Sequence, residues 1–118
     1  FGEIKARLDR GEEIPDCTAC HGMLKPDIVM FGEQLPYDVL EEASRRAMAS
    51  DLFIVIGSTL IIYPAAYMPS YAVQAGAKLV IINLSDTPMD RHASVVIRAK
   101  AGETMTAILN KVKGKTHL

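Results

Sequence analysis

The chain reads as an α/β protein built on a parallel sheet. Short apolar runs, Leu52 to Ile56, Leu79 to Ile82 and Val95 to Ile97, alternate with segments of helical periodicity. The runs are rich in β-branched residues and lack polar alternation, as in strands covered on both faces. Each run ends at small or polar residues, the usual junction of such a sheet.

Taken in order, residues 1–16 read as polar and turn-like, with Gly11 and Pro15 breaking any helix. A cysteine knuckle follows, Cys17 to Gly22. Lys25-Pro26-Asp27 reads as a bend, because Pro26 lacks a donor and biases Lys25 toward extended geometry. Ile28-Val29-Met30-Phe31 is then expected to be extended and buried.

Asp38 to Ala49 is expected as a helix with Asp38 as N-cap and Val39, Leu40, Ala43, Ala47 and Met48 on one face. Glu41 and Glu42 precede Arg45 and Arg46 by one turn, which reads as a salt-bridged solvent face. Leu52 to Ile56 is the first strand, ended by Gly57-Ser58-Thr59. Pro64 and Pro69 mark a bent connection, and Pro69 opens a short helix ending at Gly76. Lys78 to Asn83 is the second strand. A loop to Asp90 with a Thr87-Pro88 turn leads to a third, Ser94 to Arg98. Glu103 to Lys113 closes the chain as a helix with Met105, Ile108, Leu109 and Val112 on one face.

With 118 residues and 49% apolar content, one domain with a real core is expected. A net charge of −1 gives no electrostatic reason to expect nucleic acid or an anionic membrane. No signal-peptide pattern or membrane-length apolar run is visible, so the expected compartment is the cytoplasm, where thiols stay reduced. The opening Phe1-Gly2-Glu3-Ile4 falls mid-pattern and reads as a piece of something longer.

Ligands of parallel α/β sheets bind beyond the carboxyl ends of the strands. Three segments fall there. Gly57-Ser58-Thr59 offers close backbone approach and two hydroxyls for phosphate or ribose. Asn83, followed by Leu84, Ser85 and Asp86, offers an amide and a carboxylate suited to ribose. Lys100-Ala101-Gly102 follows the third strand. Small polar residues also end strands in α/β proteins that bind nothing there. Three successive suitable ends favour a ligand.

Cys17-x-x-Cys20-His21 has several readings. Its spacing is that of c-type haem attachment, which needs export and an axial partner. A thioredoxin-like redox pair should open a helix after a strand, whereas this pair precedes Gly22 and a proline bend. Half of a four-cysteine zinc site fits best, since a two-residue gap lets both thiolates converge on one ion. Against it, the chain has only two cysteines, and two ligands do not hold structural zinc, so free thiols are the plain alternative. His92 and His117 read as exposed. Tyr63, Tyr67 and Tyr71 at four-residue intervals read as packing, as do the six methionines.

From about Ile14 to Leu109 these segments closely resemble the C-terminal portion of the sirtuins, NAD-dependent protein deacylases. The resemblance rests on Cys17-x-x-Cys20-x-Gly22-x-Leu24-x-Pro26-Asp27-Ile28-Val29-x-Phe31-Gly32-Glu33-x-Leu35-Pro36. It rests also on Gly57-Ser58-Thr59-Leu60-x-Ile62-Tyr63-Pro64-Ala65-Ala66, and on Gly76-Ala77-x-Leu79-Val80-Ile81-Ile82-Asn83 with Thr87-Pro88-x-Asp90.

The resemblance implies a partial Rossmann-like parallel sheet flanked by helices, with half of a zinc-binding knuckle on its N-terminal side. It implies a zinc-module remnant over 1–26 and the C-terminal part of an NAD-binding domain over 27–118. Cys17 and Cys20 correspond to two of four zinc ligands. Val29, Phe31, Gly32 and Glu33 correspond to the acyl-lysine tunnel and peptide-pairing segment, and Ile62 to the second pairing strand, so an acylated-lysine peptide would bind by strand addition. Gly57, Ser58 and Thr59 fall at NAD pyrophosphate and ribose contacts, Asn83, Leu84 and Ser85 at adenosine contacts, and Lys100 and Ala101 near adenine.

The chain departs from the family pattern in lacking the Gly-Ala-Gly-Ile-Ser loop, the Gln-Asn-x-Asp loop, the catalytic His and the first cysteine pair. His21 replaces a usual glycine. Family chemistry passes the acyl group from lysine to ADP-ribose with release of nicotinamide, a His acting as general base. The expectation is therefore part of a deacylase, inactive alone, that associates with itself or with an upstream segment completing the fold. The alternative is a non-catalytic binding or oligomerisation module, since an incomplete sheet exposes an apolar edge.

Overall fold

The computed structural model describes residues 2–115, which form two compact units divided between Gln34 and Leu35.

The first unit opens with a helix, α1 (Gly2–Asp9), where a turn-like segment was expected. Gly11 (φ +91°) and Pro15 lie beyond it and end it without interrupting it. Lys5 Nζ to Asp9 Oδ2 (2.7 Å) adds an i,i+4 pair. No residue from 2 to 34 is buried. Polar bonds centred on Arg7 organise the unit instead. Arg7 donates to the Asp16 carbonyl (2.7 Å), to Asp16 Oδ1 (2.9 Å) and to both Glu12 oxygens. These partners raise the Arg7 pKa and hold the Glu12 and Asp16 carboxyls below the usual range.

Ile28 to Phe31 is neither extended nor buried. The Ile28 amide donates back to the Pro26 carbonyl (2.8 Å), and the Glu33 amide closes a turn on the Met30 carbonyl (3.0 Å). Gly32 at the third position has φ +90°, which that turn needs. Phe31 is 93% exposed at its tip. Four apolar residues in a row gave a strand pattern, but the flanking turn residues decided the backbone.

The second unit begins with α2 (Tyr37–Met48), entered from Pro36 and not from Asp38. Pro36 supplies no side-chain cap, and Asp38 sits in the first turn, where its charge faces the helix dipole favourably. Glu42 takes both Arg45 and Arg46, and these hydrogen bonds hold its carboxyl near a pKa of about 2. Of the apolar face, only Ala47 is fully buried, while Val39 and Met48 are exposed.

Three parallel strands follow, β1 (Leu52–Ile56), β2 (Lys78–Ile82) and β3 (Val95–Ile97), in the order β1-β2-β3. Between the first two runs α3 (Met68–Gln74), preceded by a 3₁₀ turn at Ala65–Tyr67. Its end is a Schellman motif. Gly76 (φ +100°) donates to the Val73 carbonyl (3.0 Å) and Ala77 to the Ala72 carbonyl (2.9 Å). Ala72 and Ala77 also cluster with Ala47, and such small residues let α2 and α3 approach closely. A second 3₁₀ turn, Asp90–His92, precedes β3, and α4 (Ala101–Lys115) follows it.

The main core joins Val55, Leu60, Ala66, Leu79 and Ile81, with Phe53, Val73, Met89 and Ala93 against it. β1 is not covered on both faces as expected. Val55 and Phe53 point inward, while Leu52, Ile54 and Ile56 are 52%, 44% and 44% exposed. On α4, Leu109 is likewise exposed. The methionines do not all fill the core: Met68 and Met89 pack against it, whereas Met23, Met30 and Met48 are exposed. Tyr63, Tyr67 and Tyr71 form a ladder with ring centroids 4.5 and 6.1 Å apart. No helix among the described residues is long and apolar enough to cross a membrane. His117 lies outside the described residues.

Candidate functional site

The carboxyl ends of the strands are tied to one another. The Gly57 amide donates to the Ile82 carbonyl (2.9 Å), and the Asn83 amide donates to the Ile97 carbonyl (3.1 Å). Two of the three segments picked from sequence therefore sit on adjoining strand ends.

After β1, Gly57 adopts φ +64°, a conformation that favours glycine. Ser58 Oγ accepts the Leu60 amide (3.3 Å), and buried Leu60 anchors the turn from below. Ser58 and Thr59 remain exposed. With Leu60, Ile61, Ile62, Ala65 and Ala66 they line a cavity of about 130 Å³. Ile62, 58% exposed, is part of that wall.

After β2, Asn83 is 8% exposed, and its side-chain amide donates to the Ser85 carbonyl (2.9 Å) and to Ser85 Oγ (3.1 Å). This folds the chain back and leaves Leu84 projecting, 67% exposed. After β3 the closing helix begins two residues earlier than Glu103: Ala101 and Gly102 belong to α4. The Lys100 carbonyl accepts the Thr104 amide (3.1 Å) and hydroxyl (2.9 Å). The exposed Lys100 ammonium lies 3.8 Å from Glu103.

Sequence reasoning missed the ion-pair network behind these ends. Arg98 pairs with Asp86 (2.9 Å) and Asp90. Asp90 accepts the Thr87 amide (3.0 Å) and hydroxyl (2.7 Å). The Thr87 amide, then its hydroxyl, then Arg98 hold the Asp90 carboxyl below its usual range. Two aspartates flanking a Thr-Pro turn, with an arginine after the next strand, were the available signal.

In the first unit the knuckle is closed by two backbone bonds, Cys17 amide to Gly22 carbonyl (2.9 Å) and His21 amide to Cys17 carbonyl (2.8 Å). Cys17 and Cys20 are free thiols. The Ala19 and Cys20 amides and the Cys20 thiol hold the Cys17 thiol below its ordinary pKa. Two thiols fit half of a tetrahedral zinc shell. Among the described residues no group of three or more His, Cys, Asp or Glu side chains can hold a metal. His21 has φ +55° and turns its Nδ1 to Asp16 (3.4 Å).

Glu33 is engaged locally, accepting Lys25 Nζ (2.8 Å) and the Met30 amide (3.0 Å). Val29 is 42% exposed, and with Phe31 and Gly32 it lies at the surface of its unit.

An open parallel sheet with glycine, hydroxyl and amide groups at its carboxyl ends defines an α/β protein of the Rossmann-like class. Residues 3–64 match the Sir2 family model. An NAD-dependent protein deacetylase of Caldivirga maquilingensis is 42% identical over 108 residues, covering 92% of this chain and 41% of that protein. An NAD-dependent protein deacylase 2 of Archaeoglobus fulgidus is 45% identical over 114 residues, 96% of this chain and 45% of its own. A structure of Sir2 with a p53 peptide and NAD+ superposes with a TM-score of 0.81 at 36% identity, covering 98% of this chain and 47% of that one. Sir2 bound to acetylated peptide gives 0.78 at 37% identity, covering 91% and 44%. The chain belongs to the Sir2 family, the sirtuins. It spans about two fifths of the length of the curated relatives it matches.

Proposed function

We propose that this chain is the C-terminal part of an NAD-dependent protein lysine deacylase. Bound NAD supplies ADP-ribose as acceptor for the acyl group of a lysine, with release of nicotinamide. In this reading Gly57, Ser58 and Thr59 meet the pyrophosphate and ribose, Asn83, Leu84 and Ser85 the adenosine, and Lys100 and Ala101 the adenine. Val29, Phe31, Gly32, Glu33 and Ile62 meet the acyl-lysine peptide. Cys17 and Cys20 give two of four zinc ligands, with 1–26 as the zinc-module remnant and 27–118 as part of the NAD-binding domain. The compartment is the cytoplasm, where the thiols stay reduced.

The observation that carries the reading is the joined pair of strand ends, Gly57 beside Ile82 and Asn83 beside Ile97. It puts backbone, hydroxyl and amide groups where open parallel sheets bind nucleotides. None of the chain's three histidines matches a general base, so the chain alone is expected to be inactive. The test pairs an acetyl-lysine peptide assay containing NAD with an NMR titration of NAD. The expected result is no turnover, with shifts at the amides of residues 57–59 and 83–85. Robust turnover would sink the inactive-part reading, and silent amides would sink the nucleotide site.

A second, non-catalytic reading rests on the exposed Leu52, Ile54 and Ile56 of edge strand β1, which favour self-association. A clean monomer by light scattering counts against it.

A further inference from the structure

Arg98 follows β3 and reaches back to the segment after β2. Its Nη1 donates to the Asn83 carbonyl (3.5 Å), its Nη2 donates to Asp86 Oδ1 (2.9 Å), and Nη2 also pairs with Asp90 Oδ2. Asp90 passes the connection on to the Thr87 amide and hydroxyl. One guanidinium thus ties the start, middle and end of 83–90.

Besides Arg98, the Asn83 side-chain amide holds Ser85 through its carbonyl and hydroxyl, and the residues on either side of Ser85 stand in solvent. Asn83 and Thr87 are 8% exposed, but Leu84 is 67% exposed and the Asp86 side chain 95%. Exposed loops with few apolar contacts open at low cost. Without Arg98, the carboxylates of Asp86 and Asp90 would also lose the cation between them.

We propose that Arg98 is a positioning residue that presets Asn83, Leu84 and Ser85 for the adenosine half of a nucleotide. The proposal rests on the nucleotide reading above. A loop ordered before the ligand arrives costs less to order on binding, so affinity rises without a direct contact. The planar fork of arginine serves several acceptors at once. Lysine keeps the charge but loses that geometry.

The test is an NMR titration of the 118-residue chain with ADP-ribose, read at the amides of 83–86, with thermal midpoints measured alongside. Arg98→Gln is expected to bind about tenfold more weakly, the scale of a lost charge-assisted hydrogen bond. Arg98→Lys should recover part of that loss. Asp86→Asn, a surface change that removes one arm, should weaken binding about two- to threefold. If the wild-type chain does not bind ADP-ribose, the nucleotide reading fails and takes this proposal with it. If wild type binds and folded Arg98→Gln binds equally well, only the positioning role is overturned. Should Arg98→Gln fail to fold, wild-type affinity in both Arg98→Lys and Asp86→Asn overturns it. Losses that track the thermal midpoint, with no recovery in Arg98→Lys, mark a purely structural arginine and overturn it too.

Discussion

From Gly2 to Gln34 no side chain is buried, and the guanidinium of Arg7 gathers Glu12 and Asp16 around itself. From Leu35 onward, Leu79, Ile81 and Ile82 are fully buried, and strand ends, helix caps and loops hang from that core. The first region carries the most recognisable motif of the chain, and the second carries most of the packing. A motif dense in chemistry is therefore no guide to where the apolar stabilisation lies. The first unit is held by directional polar bonds, which solvent and acid compete with, and the second by buried area, which they affect little.

The largest expected effect lies in the second region. Ile81→Ala empties the centre of the main core and should cost about 2–5 kcal/mol. Chemical denaturation followed at the amides of β1 and β2 measures it. A loss below about 0.5 kcal/mol, the scale of a surface change, would mean that the sheet does not depend on this core.

Arg7→Ala tests the polar counterpart. It should speed alkylation of Cys17 severalfold and raise hydrogen exchange across residues 12–23, since four acceptor atoms on Glu12 and Asp16 lose their donor. Acid should loosen the same unit, followed by NMR chemical shifts at residues 7–23, because a thiol protonated at low pH does not alkylate. The folded Glu12 and Asp16 carboxyls titrate below their ordinary range, so their stabilisation is present above that range and lost as pH falls through the lowered values. Unchanged thiol labelling in Arg7→Ala, together with unchanged shifts in acid, would remove Arg7 from the centre of the unit.

The smallest effect falls on His21. A non-glycine residue at φ +55° carries a backbone cost of about 1 kcal/mol, so His21→Gly should tighten the knuckle by roughly that amount despite losing the contact with Asp16. Slower amide exchange at residues 17–22 would report it. Faster exchange would show that the Asp16 contact outweighs the strain.

Much of the second region was legible beforehand. The three strands fall where the apolar runs do, Pro69 opens α3, and Gly76 ends it, because these signals are local. The boundary errors were local as well. Asp38 looked like a cap but sits inside α2, and α4 opens at Ala101 and not at Glu103. Ile28 to Phe31 shows a different failure. Its apolar run matched a buried strand, yet Pro26 before it and Gly32-Glu33 after it close turns on either side. The Arg98 network escaped because its members are twelve and eight positions apart, and the two aspartates around the Thr-Pro turn do not by themselves say that one guanidinium meets both carboxylates.

The sequence by itself determined the family, the alternation of helix and strand, and which small or polar residues end each strand. These depend on residue type and short-range periodicity. Only the tertiary structure decided that Gly57 and Asn83 occupy adjoining strand ends, that one face of β1 stays open, and that Arg98 braces the loop beyond β2. Each depends on strand order and register, which bring distant residues together through hydrogen bonds that no local pattern encodes.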